Sequence, residues 1–211
     1  MRLGLMGGTF DPIHRGHLQV ARAALGLGLE RVDFVPARRP PHKRQGAVAG
    51  PFDRFAMAAL ATVNEPSLRV CDFELARDAA SYTIETVRHF DDQGHEVTLI
   101  MGSDSLADLE NWRACRELVE RARVLAYPRR PAVGEALVAQ LPDWIRERLG
   151  PVGARIALIE EAPDDVSSSE IRDRLQAGRE ITGLTPPAVE EYIHKHHVYG
   201  GSPPAKGRHS H

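Results

Sequence analysis

Cysteine is scarce in this chain: Cys71 and Cys115 are the only two in 211 residues, and they form no CxxC pair. That excludes a disulfide scaffold and a thiolate metal site. It points to a reducing compartment in which both thiols act as small buried apolar groups. Long apolar runs are missing as well, and none approaches the roughly 20 residues that span a bilayer. The first residues carry glycines and Asp11 where a secretory leader needs an unbroken apolar stretch. Excess charge is also missing: the formal net charge is −2, so no overall field recruits nucleic acid or an acidic membrane. The expectation is a cytoplasmic protein with neither nucleic-acid nor membrane partners. Nothing in the sequence sets its oligomeric state.

The 42% apolar and 27% charged residues are ordinary for a globular fold. The length suits one domain, 1–199, followed by a disordered tail, 200–211, of Gly, Ser, Pro and basic residues. Five histidines lie between His194 and His211; they read as part of a solvated end, not as a metal site. There is no internal repeat.

Short Val/Ile-rich runs at Leu3–Met6, Val32–Val35, Leu68–Cys71, Val97–Met101, Val124–Tyr127 and Ile156–Ile159 read as strands. Helical patterns fall between and after them, near 17–27, 52–63, 83–92, 114–121, 136–148, 169–177 and 187–195. Alternation at this spacing predicts an α/β fold, a doubly wound parallel sheet with right-handed crossovers. Residues 36–51, rich in proline and basic side chains, read as one long loop, and a loop of that length in a compact domain is usually functional or mobile.

The most specific stretch is Gly7-Gly8-Thr9-Phe10-Asp11-Pro12-Ile13-His14-Arg15-Gly16-His17, at the turn from the first strand into the first helix. Free backbone N–H groups and a helix dipole make such a turn an anion site, and glycines let a phosphate approach the backbone. His14 and His17, three apart, share a face if both lie in the first helical turn. A second candidate is Ser167-Ser168-Ser169-Glu170-Ile171-Arg172. Ser167 and Glu170 have capping-box spacing, Ser168 and Ser169 fall in the first turn, and Arg172 lies over the same face. Alone, this is most simply a capped surface helix, but its place after a strand and loop favours a phosphate site.

The string Gly7–His17 resembles the signature of the nucleotidyltransferase superfamily with the (H/T)xGH motif. In its Gly-Gly-Thr-Phe-Asp-Pro-x-His form it resembles the bacterial nicotinate-mononucleotide adenylyltransferases. Val166–Arg172 is similar to the Ile-Ser-Ser-Thr-x-Ile-Arg segment of that family, with Val166 and Ser169 as conservative departures. The resemblance runs from Gly7 to about Tyr199 and implies a Rossmann-like nucleotidyltransferase fold. The implied reaction joins ATP and nicotinate mononucleotide into deamido-NAD and pyrophosphate, in NAD biosynthesis. It implies His14 and His17 as catalytic residues. ATP would be bound by Gly7, Gly8, Thr9, Phe10, His17, Gly102, Asp104, Ser167, Ser168, Ser169 and Arg172. The mononucleotide would be bound by His42, Lys43, Thr83, Trp112 and Arg130. Mg²⁺ would come with ATP, with no metal ligands of the protein's own. From the residues alone, Ser81 or Thr83 is also a candidate N-cap, Asp104 a helix cap and Trp112 a core residue. Two departures stand out: Ala79-Ala80 where the family has a glycine ahead of Ser81, and Arg113 where an aromatic residue often follows the tryptophan. The competing readings are a phosphopantetheine adenylyltransferase, an enzyme preferring the nicotinamide substrate, and a non-catalytic nucleotide-binding regulator.

Overall fold

The computed structural model describes residues 1–39, 48–78, 80–128, 135–160 and 163–200. Six strands form one sheet, β1 (Arg2–Gly8), β2 (Arg31–Pro36), β3 (Leu68–Val70), β4 (Glu96–Gly102), β5 (Arg123–Tyr127) and β6 (Ile156–Leu158). Their order is β3-β2-β1-β4-β5-β6 and every pairing is parallel. This is the doubly wound arrangement that the alternation predicts. The order reverses between β1 and β4, so a crevice opens beyond their carboxyl ends, where such sheets take their ligands.

Alternation along the strands supplies both faces of the sheet. Met6, Ile100 and Leu125 pack with α1 (Arg15–Gly26), α2 (Pro51–Thr62), α8 (Ser168–Gln176) and α9 (Pro187–His196). Leu3, Leu5, Leu99 and Val124 pack with α3 (Thr83–Asp91), α5 (Cys115–Arg121) and α7 (Asp143–Leu149). The strands are buried on both sides, which is why they read as continuous apolar runs.

Several boundaries differ from the sequence reading. Pro36 closes β2, and Pro51 opens α2 as a helix-starting proline, so the long connection is 37–50. The pattern over 136–148 is two helices, α6 (Glu135–Val138) and α7, because Pro142 cannot continue a helix and caps the second one. A short helix, α4 (Ser103–Ala107), forms at Asp104, where the sequence offers a helix cap, and a 3₁₀ turn, Leu109–Asn111, follows it. α1 begins at Arg15, which sets His17 at its third position. Cys115 is buried and Cys71 half-buried, neither is in a disulfide, and burial pushes both thiols up to about 11. No helix among the described residues is long and apolar enough to cross a membrane. The tail 201–211 lies outside the described residues; Gly200 ends the described chain.

Candidate active site

A cleft of about 780 Å³ opens at the switch point. One wall is Gly7–Phe10 with His14, Gly16 and His17; the other is Asp164–Ser169 with Arg172. Sequence stretches about 150 residues apart, read separately as anion sites, therefore face one another across a single cavity. A smaller cavity of about 210 Å³, beside Arg2, Glu96 and Arg155, lies at the opposite, amino-terminal end of the strands, away from both stretches.

The first wall is built by close approach. A Cβ on Gly8 would stand 2.8 Å from the Phe10 ring, so the glycine lets that ring turn into the core. Phe10 is 2% exposed, has a φ of 51°, and meets Phe34 and His17 edge to face. A positive φ at a buried aromatic residue is held only by its surroundings, and such residues cluster at functional turns. The Phe10 side chain thus borders the cleft from the core side. Gly16 clears the other imidazole: a Cβ there would come within 3.2 Å of His14 Nδ1.

His14 is the N-cap of α1, and it forms a reciprocal cap with His17, each ring turned to the other's backbone N–H. His17 Nδ1 accepts from the His14 N–H at 3.2 Å. That bond assigns the tautomer: with Nδ1 an acceptor, the ring proton sits on Nε2. The rings lie 3.7 Å apart, centroid to centroid, which places both imidazoles on one face, as their spacing predicts.

The second wall is a capped helix start. Ser167 caps α8 and accepts from the Glu170 N–H at 3.1 Å. Ser168 Oγ donates to the Pro12 carbonyl at 2.9 Å, tying the helix to the first turn. Arg172 Nη2 donates to Ser169 Oγ at 3.1 Å, and Nη1 donates to the Asp11 carbonyl at 2.6 Å. The guanidinium therefore bridges the two stretches. The loop before α8 is pinned to α1, since Gln19 Nε2 donates to Asp164 Oδ2 at 2.6 Å and Arg15 Nε stands 2.9 Å from the same oxygen.

Other candidates sit on the neighbouring strand ends. Gly102 ends β4 and caps α4, so Asp104 lies inside the first turn and is not the cap. Tyr82, and neither Ser81 nor Thr83, is the N-cap of α3; Thr83 opens the helix. Ser81 instead accepts the Arg38 N–H at 3.0 Å, joining the exit of β2 to the start of α3. Trp112 is half-buried after the 3₁₀ turn, against the same core cluster as Tyr82. Arg113 lies over the Tyr82 ring at 4.5 Å. The cleft does not extend to Gly102, Asp104, Thr83 or Trp112. His42, Lys43 and Arg130 lie outside the described residues, as does Ala79.

Residues absent from the sequence reading complete the site. Tyr127 and Pro128, at the end of β5, line the cleft floor. Arg54 is 1% exposed, and its guanidinium donates to the carbonyls of Thr9 at 2.7 Å, Ala37 at 2.7 Å and Ala49 at 3.3 Å. It holds the first turn, the exit of β2 and the approach to α2 together. Burial lowers its pKa, against the pull of Asp11 and Tyr199 nearby. A sequence signal for Arg54 existed: it stands on the buried stripe of α2 with Met57, Ala58 and Ala61, where an arginine must be paired.

This sheet order, with its cleft at the strand switch point, defines a class: the doubly wound, Rossmann-like α/β proteins. Residues 5–174 match the cytidylyltransferase-like family, and the chain belongs to it. Within it the chain falls among the nicotinate-nucleotide adenylyltransferases, enzymes that transfer an adenylyl group. It is 40% identical over 199 residues to a protein of Roseiflexus sp. (strain RS-1) named "Probable nicotinate-nucleotide adenylyltransferase", covering 93% of this chain and 97% of that one. A protein of the same name from Thermoanaerobacter sp. (strain X514) is 37% identical over 203 residues, covering 94% of both chains. A solved structure of Plasmodium falciparum nicotinic acid mononucleotide adenylyltransferase complexed with NaAD superposes with a TM-score of 0.75 at 19% identity, over 95% of this chain and 98% of that one. At that identity the likeness concerns the fold.

Proposed function

We propose that this chain transfers AMP from ATP to nicotinate mononucleotide by direct in-line displacement, with no covalent enzyme intermediate. The observation that carries the proposal is the single cleft in which the Gly7–His17 turn meets the start of α8. The mononucleotide's phosphate is already an anion, so no protein nucleophile is required. Its oxygen forms the new bond to the α-phosphorus as the bond to the bridging oxygen breaks, and pyrophosphate leaves with that electron pair. The protein contributes positioning and stabilisation of developing charge.

His17, with its proton on Nε2, donates to the α-phosphate and the leaving oxygen, with His14 beside it. Gly7, Gly8 and Thr9 offer backbone N–H groups and a hydroxyl at the strand end, bordered by Phe10. Ser167, Ser168, Ser169 and Arg172 form the seat of the distal phosphates at the α8 dipole. Gly102 and Asp104 take the adenosine ribose, where a carboxylate accepts from paired hydroxyls. Thr83 at the start of α3, with Trp112, His42, Lys43 and Arg130, takes the mononucleotide.

Mg²⁺ enters as part of the substrate, carried by ATP phosphates and water. Two carboxylates near the cleft suit this, since each is engaged within the protein: Asp11 accepts three hydrogen bonds, and Asp164 is held by Arg15 and Gln19.

Acid specificity follows from the α3 N-terminus. A nicotinate carboxylate accepts hydrogen bonds at both oxygens, and the Arg113 guanidinium over Tyr82 adds positive charge near that helix start. A carboxamide turns a donor toward donors and leaves a buried N–H unpaired, at about 1–3 kcal/mol per group. Pyrophosphate release with ATP and a panel of nicotinate mononucleotide, nicotinamide mononucleotide and phosphopantetheine tests the reading. The acid should exceed the amide in kcat/KM by roughly two to four orders of magnitude. Equal values, or preference for the amide, reject acid specificity; activity only with phosphopantetheine rejects the assignment altogether.

A further inference from the structure

Asp11 is a carboxylate inside a turn meant to hold phosphates, where a negative charge should repel the ligand. It is 2% exposed, and the three hydrogen bonds on its carboxylate come from residues that do not line the cleft. Its Oδ2 accepts the Val48 N–H at 2.8 Å. Its Oδ1 accepts the Ala49 N–H at 3.0 Å and the Tyr199 hydroxyl at 2.9 Å. The Arg172 guanidinium stands 3.9 Å from Oδ2 while donating to the Asp11 carbonyl at 2.6 Å. Asp11 is therefore the joint between the first turn, the approach to α2, the α8 arginine and the end of the described chain.

We infer that Tyr199, acting through Asp11, is a positioning residue for Arg172 and hence for the distal phosphates of ATP. Tyr199 lies beyond the family match at 5–174 and beyond α9, yet its ring is buried in the core under the first turn. It does not border the cleft. Its hydroxyl is one of three donors on the Asp11 carboxylate, and it is the only side-chain hydroxyl among them. Burial and the Asp11 charge push the tyrosine pKa upward, so the hydroxyl remains a donor at any working pH. Of the two guanidinium groups beside the carboxylate among the described residues, Arg54 is committed to the carbonyls of Thr9, Ala37 and Ala49, which leaves Arg172 as the partner for an Asp11 oxygen that has lost this donor. The carboxylate would pull Nη1 from the backbone carbonyl toward its own oxygen and turn the fork away from the cleft.

The inference rests on the assignment of Arg172 to ATP. Tyr199→Phe removes one hydroxyl and nothing else. Tyr192→Phe is the matched control: its hydroxyl donates to Asp53 Oδ1 at 2.9 Å, so it also ties the C-terminal segment to the rest of the fold, away from the first turn. With Tyr199→Phe the KM for ATP should rise about 5- to 10-fold, less than the full loss of a hydrogen bond to a charged group because the effect reaches ATP only through Arg172, while the mononucleotide KM stays within about twofold. Tyr192→Phe should leave both constants near wild type. In the Tyr199→Phe, Arg172→Lys double variant the two effects on the ATP constant should be less than additive. Equal constants for the two tyrosine variants, full additivity, or loss of the folded state in Tyr199→Phe would each overturn the positioning role. If Arg172→Lys alone leaves the ATP constant unchanged, the assignment of Arg172 fails and this inference falls with it. If Arg172→Lys raises it and Tyr199→Phe does not, only the inference fails.

Discussion

Arg54→Met keeps most of the stem volume and removes the guanidinium, which is 1% exposed. Two short charge-assisted bonds, to the carbonyls of Thr9 and Ala37 at 2.7 Å each, are lost with it. At about 1.5–3 kcal/mol per hydrogen bond to a charged group, these amount to about 3–6 kcal/mol. The longer bond to Ala49, at 3.3 Å, adds little. Against this, the variant no longer buries a charge, which returns part of the loss. Asp11, deprived of a nearby positive charge, works in the other direction. The balance is a destabilisation of about 3–4 kcal/mol, the range seen when a buried charge network is broken. For a chain of this length that corresponds to a fall in Tm of about 6–16 °C. Urea unfolding at constant pH gives the free energy directly. Turnover measured well below the lowered Tm should also drop by roughly tenfold or more, because the carbonyl of Thr9 is no longer held and the turn proposed to seat phosphate loosens. Arg54→Lys should fall between, since one ammonium cannot fork to three carbonyls. A loss below about 1 kcal/mol with unchanged turnover would refute the clamp and place Arg54 among tolerant core positions.

His17→Ala should cut turnover by two or more orders of magnitude while ATP still binds, since a leaving-group contact acts mainly in the transition state; full turnover in the His14→Ala, His17→Ala double variant would exclude this cleft as the reaction centre. Arg172→Lys should raise the KM for ATP more than that for the mononucleotide, because an ammonium cannot reproduce the fork; a change confined to the mononucleotide constant reverses the assignment of the α8 site. Glu74 concerns stability alone: burial raises its pKa above 4.5, although Thr86 donates to it at 2.8 Å. A carboxylate with a raised folded pKa costs stability once the unfolded chain ionises, so stability should fall as pH rises through 4.5 toward the folded value. Glu74→Gln should flatten that part of the pH–stability curve, and an unchanged slope in urea titrations across it would show that Glu74 is not the group responsible.

Much of the architecture was already written in local pattern. The Val/Ile runs spaced by amphipathic stretches favour parallel strands with crossover helices, and the two faces of β1 and β4 follow from period-two alternation. The Gly7–His17 turn and the Ser167 cap were legible because each depends on residues close in sequence: a glycine beside Phe10, two histidines three apart, a serine reaching the amide three residues on. The start of α2 at Pro51 is legible to within one residue, whereas the break at Pro142 is not, because the apolar period alone runs through it. Tyr82, and not its hydroxyl-bearing neighbours, caps α3 because Ser81 is drawn off to the backbone of Arg38, a contact between segments far apart in the chain. The rest was decided in three dimensions. Asp11 meets Tyr199 across 188 positions and Arg172 meets the Asp11 carbonyl across 161. A single sequence carries periodicity and capping because they repeat over a few residues. It carries no record of which buried donor will find which buried acceptor once the sheet has closed, and in this protein those long-range bonds bring the Gly7–His17 turn and the start of α8 to one cleft.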